Sequence, residues 1–126
     1  MIKQVKTSEI IAGHQVIKIL EAKNKERAAA GRDEIILDPK FVYALNKNLG
    51  KCKGEWEAYV KAAQALASAN SKATPEELNA LEATELAEQR DDSNEYDIHM
   101  IDIELVPIEL AYQVGMLDFM IRESTS

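Results

Sequence analysis

The stretch EYDIHMIDIELVP, residues 95–107, is the one long strand-like run in a chain whose other patterns are mostly helical. Apolar and polar residues alternate along it, as they do in a strand with one buried face. Such a strand needs a partner, because buried backbone N–H and C=O groups must be hydrogen-bonded. Either this chain or another molecule therefore supplies a second strand.

The alternation changes phase partway along this stretch. Tyr96, Ile98 and Met100 alternate with polar residues, and Ile101 then follows Met100 directly. A shift of one residue turns the apolar side chains to the opposite face. The sequence therefore predicts a β-bulge near Met100–Ile101, or a strand that leaves one surface and joins another.

The first six residues, MIKQVK, are the best candidate for the partner strand, with Ile2 and Val5 apolar. The short apolar run at residues 35–37 fits either a third strand or a buried connector. Pairing between protomers, or with the sheet edge of a partner protein, is the alternative to pairing within the chain.

Helical patterns fill most of the remaining chain. A first helix is predicted from Thr7 or Ser8, as N-cap, to about residue 27. Asp38 as N-cap and Pro39 at the first helical position open a long helix that is predicted to reach about residue 68. Its predicted core stripe is Phe41, Leu45, Leu49, Cys52, Trp56, Tyr59, Ala63 and Leu66. Gly50 and Gly54 interrupt this helix and indicate either a bend or the close approach of another backbone.

Two further helices are predicted towards the C-terminus. Thr74, Pro75 and Glu77 form a capping-box pattern that opens a helix ending near residue 90. A last helix is predicted over about 107–122, followed by a frayed tail. Its predicted core stripe is Leu110, Val114, Leu117 and Ile121.

These elements predict a single α+β domain over residues 1–126 that is mostly helical. It has about four helices, one of them long at about 38–68. A small two- or three-stranded antiparallel sheet is formed by the N-terminal strand and strand 95–106.

The charge of the chain is unevenly distributed. The formal net charge is −7, yet residues 1–75 carry thirteen Lys and Arg against eight Asp and Glu. Residues 76–109 carry one arginine against twelve acidic residues. Three interpretations stay open: the two halves attract each other, the acidic half faces a basic partner, or the acidic surface is simply solvated.

The sequence shows no recognisable catalytic or metal-binding pattern. His14 and His99 lie in different elements, and no Walker loop, HExxH or CxxC occurs. Cys52, the single cysteine, is expected to be a buried structural side chain, although lysines surround it. DDSNEYD lacks the glycine and glutamate that a calcium loop needs. We therefore expect neither an enzyme nor a cofactor or metal site.

Direct nucleic-acid binding is not expected either. The chain is acidic overall, which opposes affinity for phosphates, and the lysines of the long helix are expected to be spread around it. Those lysines are Lys40, Lys47, Lys51, Lys53 and Lys61. No apolar run approaches the length of a membrane span and no secretory signal is evident, so a soluble intracellular protein is expected.

Four stretches resemble small proteins of tailed bacteriophages and prophages. They are MIKQVKTSEIIAGHQVIKIL at the start, DPKFVYALNKNLGKCKGEWEAYVKA in the long helix, YDIHMIDIELVP, and LAYQVGMLDFMI near the end. The most specific piece runs from Lys40 to Asn48. The chain departs from that family in its shorter, alanine-rich middle, residues 62–90. The resemblance implies a viral setting, with the protein in the host cytoplasm or the virion, and supplies no catalytic residues.

The sequence therefore predicts a non-enzymatic bacteriophage protein that acts by binding another protein. It is expected to be a virion or assembly accessory, or an inhibitor of a host or defence protein, and a homodimer through the same elements is compatible with the pattern. The alternative is an acidic nucleic-acid mimic that blocks a DNA- or RNA-binding enzyme such as a CRISPR effector. The predicted partner-binding residues are Asp91, Asp92, Glu95, Asp97, His99, Asp102 and Glu104.

Overall fold

The computed structural model describes residues 1–122, so the predicted frayed tail beyond residue 122 lies outside the described part. The α+β class, mostly helical with a small antiparallel sheet, is confirmed. The strands are β1 (Ile2–Lys6), β2 (Ser93–Asp97), β3 (Ile101–Asp102) and β4 (Ile121–Arg122). The helices are α1 (Thr7–Ala29), α2 (Pro39–Lys51), α3 (Lys53–Ala69), α4 (Pro75–Glu85) and α5 (Ala87–Asp91). Two 3₁₀ segments cover Ile103–Leu105 and Ile108–Met120.

The strand-like stretch finds its partner within the chain. β1 pairs antiparallel with β2, from Ile2 opposite Asp97 to Lys6 opposite Ser93. The backbone pairing continues at both ends, where Ile98 donates to the Met1 carbonyl at 2.8 Å and Thr7 donates to the Asp92 carbonyl at 2.9 Å. The predicted pairing of MIKQVK with this stretch is therefore confirmed.

The stretch does not continue as one strand to residue 106. β2 ends at Asp97, residues 98–100 are irregular, and β3 pairs in parallel with β4. Ile98 and Ile101 are both buried. Of the two interpretations of the phase change, the transfer from one surface to another is correct, because the chain leaves β1 and joins β4.

Residues 35–37 form a connector and not a third strand. Ile35 is buried, and its N–H donates to Asn24 Oδ1 at 2.9 Å. An α1 side chain thus supplies the partner that a strand would otherwise supply.

The long helix predicted over about 38–68 breaks at Cys52, where φ is −94° and ψ is 11°. Asp38 caps α2 as predicted, since its carboxylate accepts from the Lys40 N–H at 2.8 Å. Gly50 and Gly54 flank the break and weaken the helix on both sides of it. The prediction that these glycines mark a bend is therefore confirmed.

The bend divides the predicted apolar stripe into two unequal parts. The α2 part of the stripe, together with Cys52, is buried, whereas in α3 only Tyr59 is fully buried. Trp56, Ala63 and Leu66 are half-buried. The hairpin of α3 and α4 therefore lies at the margin of the core.

The helix predicted over 75–90 also divides, at the buried residue Leu86, whose φ and ψ are −110° and 21°. Its capping box is confirmed: Thr74 Oγ1 accepts from the Glu77 N–H at 3.2 Å. The predicted N-cap of α1, Thr7 or Ser8, is wrong by one or two residues: Lys6 is the N-cap, and Glu9 Oε1 accepts the Lys6 N–H at 3.0 Å.

The α-helix predicted over 107–122 is instead a 3₁₀ segment broken at Leu110, followed by β4. Its buried side chains are Leu110, Leu117, Phe119 and Met120, whereas Val114 and Ile121 are only half-buried. A 3₁₀ turn has three residues, so Leu117 and Met120 share a face that an α-helical period does not predict. This segment packs along α1, where Gly13 lets Leu49 and Phe119 approach the helix backbone.

Candidate binding groove

An open groove of about 850 Å³ lies between α2 and the irregular crossing from β2 to β3. One wall is formed by α2 and the other by residues 97–102 and Leu105, with Arg122 of β4 at its border. We call this feature the groove. Three of the predicted partner-binding residues, Asp97, His99 and Asp102, line it.

Asn48 fixes the two walls relative to each other. Its side chain is fully buried, donates from Nδ2 to the His99 carbonyl at 2.9 Å, and accepts the His99 N–H on Oδ1 at 2.8 Å. The Asn48 amide thus hydrogen-bonds both the N–H and the C=O of His99. His99 lies in the irregular segment between β2, which pairs with β1, and β3, which pairs with β4. These two hydrogen bonds hold the crossing from β2 to β3 against α2.

Sequence reasoning did not single out Asn48. The available signal was its position between Leu45, Leu49 and Cys52, on the buried side of a strongly amphipathic helix. A polar amide at a core position needs hydrogen-bond partners, so it indicates a specific buried contact. The identity of the partner, 51 residues away, is not encoded locally.

Three lysines form a stripe along the α2 wall. Lys40, Lys47 and Lys51 are seven and four residues apart, which places them on one side of a helix with 3.6 residues per turn. The sequence interpretation that the lysines of this region are spread around the helix is therefore wrong for these three. Lys53 and Lys61 belong to α3 and do not line the groove.

Tyr43 stands beside this stripe and is more than half exposed. Lys47 Nζ lies 3.1 Å from the Tyr43 hydroxyl and 5.2 Å from the centre of its ring. The His99 ring meets the Tyr43 ring edge-on, with centroids 5.5 Å apart. The aromatic pair thus bridges the two walls.

The acidic residues of the groove are already compensated by cations. Asp97 accepts from the Met1 amino group at 2.9 Å, and this hydrogen bond, together with the amino charge and Lys51, lowers the pKa of the Asp97 carboxyl. The Lys51 ammonium also donates to the Asp97 carbonyl oxygen. Asp102 pairs with Arg122 at 2.8 Å. Neither carboxylate is therefore an unopposed negative charge.

The other predicted residues lie outside the groove. Asp91 pairs with Lys6 at 2.9 Å, which raises the pKa of the lysine. Asp92 uses its backbone carbonyl to accept from Thr7, and Glu95 stands opposite Gln4 in the sheet. Glu104 is exposed in the first 3₁₀ segment. The seven predicted residues therefore do not form one surface.

A second set of seven carboxylates lies away from the groove, along α4, α5 and β2. The exposed carboxylates there, which we call the acidic face, are Glu76, Glu77, Glu85, Glu88, Asp91, Asp92 and Glu95. Within residues 1–122, the only ion pair on this face joins Asp91 to Lys6. Arg90, the one cation of this part of the sequence, is held by Glu82 at 3.9 Å and by the Tyr59 hydroxyl at 2.9 Å.

Two further groups lie away from the groove and the acidic face. Cys52 is buried as predicted, and burial raises the pKa of its thiol to about 11, which disfavours the reactive thiolate. His14 stacks on Trp56 with ring centroids 3.9 Å apart, and its pKa is lowered by burial and by Lys18.

Across the part of the chain that the structure describes, no three His, Cys, Asp or Glu side chains are placed to hold a metal ion. No described helix is long and apolar enough to cross a membrane. Comparison with protein-family profiles, with curated proteins and with solved structures gives no match.

Proposed function

We propose that this chain is a non-enzymatic bacteriophage protein that acts by binding another protein through the groove. Its biological role is that of a virion or assembly accessory, or of an inhibitor of a host or defence protein. The phage setting rests on the sequence resemblance of residues 1–20, 38–62, 96–107 and 110–121. The binding role rests on the groove.

The observation that carries the binding role is the combination of exposed contact groups with a fixed backbone. Met1, Ile2 and Tyr43 are large apolar side chains at or beside the groove, and each is more than half exposed. The walls beneath them are held by Asn48, so a partner does not have to order them on binding. Aromatic and apolar anchors on a rigid surface are typical of protein interfaces.

The proposal is tested by affinity capture from phage-infected host cells with tagged wild-type protein and two tyrosine variants. Tyr43→Ala removes the aromatic group of the groove. Tyr112→Ala removes an equally large exposed tyrosine from the C-terminal 3₁₀ segment, which does not line the groove. Captured proteins are identified by mass spectrometry at low and high salt.

We expect one partner to be captured by the wild type and by Tyr112→Ala but to be strongly depleted with Tyr43→Ala. Loss with Tyr112→Ala alone would place the contact at the C-terminal segment and would contradict the groove. Absence of any partner whose capture depends on a surface residue would contradict the binding role itself.

The acidic nucleic-acid mimic is a second candidate, and the acidic face favours it. Seven exposed carboxylates between residues 76 and 95, with one ion pair among them, resemble a row of phosphates in charge. Such a protein competes with DNA or RNA for a basic channel, and its binding weakens steeply with salt.

The double charge reversal Glu85→Lys with Glu88→Lys separates this candidate from the first. A mimic loses its partner in this variant, and added DNA releases the wild-type complex. A partner held through the groove stays bound in both experiments.

A further inference from the structure

The lysine stripe of α2 makes no direct ion pair among residues 1–122, although Lys51 donates to the Asp97 carbonyl oxygen and the charges of Lys47 and Lys51 act on the Asp97 carboxylate. Lys40 and Lys47 have no carboxylate within ion-pairing distance among residues 1–122, whereas the groove's two aspartates are both paired with other cations. The stripe also faces solvent, since all three lysines are exposed. The α2 wall therefore presents positive charge to whatever occupies the groove.

The spacing of the stripe suits an extended peptide. With a rise of 1.5 Å per residue, Lys40 and Lys47 lie roughly 10 Å apart along α2, and Lys47 and Lys51 roughly 6 Å apart. On an extended chain only every second side chain faces the same way, so three carboxylates at alternate positions lie at 0, about 7 and about 13 Å. Measured from Lys51, the three lysines lie at 0, roughly 6 and roughly 16 Å along α2, and the long lysine side chains can span the remaining difference of about 3 Å. One acidic peptide running along α2 can therefore reach all three ammonium groups.

The opposite wall differs in chemistry. Besides His99 and the two aspartates, whose carboxylates are paired with cations, it presents the half-buried apolar side chains of Met100 and Leu105. A peptide side chain that is apolar can pack there while acidic neighbours face the lysines. A ligand with both acidic and apolar groups fits this arrangement better than one with charge alone.

A nucleic acid fits less well. The chain as a whole carries a net charge of −7, and the Asp97 and Asp102 carboxylates stand at the same groove. Phosphate backbones require a field that is positive over several phosphates, and affinity depends on the number of cations engaged. Because Asp97 and Asp102 are already paired with other cations, the three lysines carry the net charge of the groove, and three cations engage few phosphates.

We infer that the groove binds an acidic peptide segment of the partner protein, with its carboxylates on Lys40, Lys47 and Lys51 and an apolar side chain against Met100 and Leu105. This inference rests on the proposed function and specifies the chemistry of the partner. The signs of the charges are opposite to those expected from the sequence, which predicts that acidic residues of this chain contact the partner.

The test uses fluorescence anisotropy with a labelled ten-residue peptide that contains four glutamates and one phenylalanine. The comparison ligands are the same peptide with glutamine in place of glutamate, and a single-stranded DNA ten nucleotides long. The protein variants are Lys40→Glu with Lys47→Glu, and a control, Lys53→Glu with Lys61→Glu, which makes the same change of charge on α3. Circular dichroism confirms that both variants are folded.

We expect the glutamate peptide to bind at least about tenfold more tightly to the wild type and the α3 control than to the α2 variant. The glutamine peptide should bind the wild type more weakly by a similar factor. Equal weakening in both variants would show unspecific attraction and overturn the inference, as would tighter binding of the DNA than of the peptide.

A second copy of the chain could instead place its acidic face in the groove. Sedimentation velocity at low salt would then show self-association that Lys40→Glu with Lys47→Glu abolishes, and this result would also overturn the inference. If a partner is captured in a Tyr43-dependent way while the peptide shows no preference, the proposed function stands and only the acidic-peptide inference fails.

Discussion

At the residue scale, Asn48 links the fold to the groove more directly than any charged residue does. The ion pairs of Asp97 and Asp102 are exposed, and exposed pairs contribute about 0–1 kcal/mol each. Asn48 is fully buried and makes two hydrogen bonds to His99. Removing it leaves two backbone groups without their protein partners, which is more costly.

We therefore expect Asn48→Ala to lower the free energy of unfolding by about 2 kcal/mol, and to speed amide exchange at His99. Asn46→Ala on the same helix is the matched control, because Asn46 is exposed and bonds only to the Val42 carbonyl. Its effect should stay within about 0.5 kcal/mol. Urea unfolding of both variants measures the difference. Equal effects would show that the two hydrogen bonds to His99 contribute little to the free energy of unfolding.

His14 gives the protein a pH dependence of its own. Its pKa is lowered from 6.5 in the folded protein, so the unfolded chain binds the proton more readily. The contribution of neutral His14 to the free energy of unfolding is fully present above pH 6.5. It is lost as the pH falls from 6.5 through the lowered pKa of His14 in the folded protein. His14→Phe keeps an aromatic ring against Trp56 and removes the titrating group.

We expect the unfolding free energy of the wild type to fall more steeply below pH 6.5 than that of His14→Phe. His99→Phe, at the exposed histidine, controls for the loss of a histidine as such. Unfolding curves at several pH values make the comparison. Parallel pH profiles for the wild type and His14→Phe would show that burial of His14 does not oppose its protonation.

At the scale of the elements, the bend at Cys52 separates a buried helix from a marginal one. An added Cβ would meet nothing within 4 Å at Gly50, whereas at Gly13 it would come within 3.0 Å of Leu49 and 3.5 Å of Phe119. The same substitution should therefore have opposite effects at the two sites. Alanine removes conformational freedom from the unfolded chain at both, but only the core site is overpacked.

We expect Gly50→Ala to stabilise the protein by about 0.5–1 kcal/mol and Gly13→Ala to destabilise it by about 1 kcal/mol. Chemical denaturation with an unchanged m-value is the measurement. Stabilisation by Gly13→Ala as large as that by Gly50→Ala would show that α1 has room beside Leu49 that the packing does not indicate.

The elements that could be predicted from sequence are those with local signals. Asp38 and Thr74 cap their helices through atoms two or three residues away. MIKQVK is a short run with apolar Ile2 and Val5, which is enough to make it a strand candidate. The break at Cys52 was indicated only indirectly, by two glycines. The 3₁₀ conformation of Ile108–Met120 has no local signature, because its residues are equally compatible with an α-helix.

The groove was the least predictable part, because it joins segments that are distant in the sequence. His99 was proposed as a contact residue, but its link to Asn48 depends on how α2 packs against the crossing from β2 to β3. Lys40, Lys47 and Lys51 share a helix side that can be recognised from their spacing, provided that the helix is taken to end at Lys51. Extending it to residue 68 added Lys53 and Lys61 and obscured the stripe.

At the scale of the whole molecule, the charge layout is dipolar. The groove carries a lysine stripe and compensated aspartates, while the acidic face on α4, α5 and β2 carries seven exposed carboxylates, of which only Asp91 is in an ion pair. The two surfaces suit partners of opposite charge. The proposed function and its alternative therefore predict binding at different places on one molecule.

Hydrogen–deuterium exchange of the protein, alone and in complex with the captured partner, tests the central claim most directly. If the groove is the binding surface, exchange slows on binding in residues 40–51 and 97–102, while residues 76–95 keep the rates of the unbound protein. Slower exchange confined to residues 76–95, with the groove unchanged, would contradict the account and identify the acidic face as the site of contact.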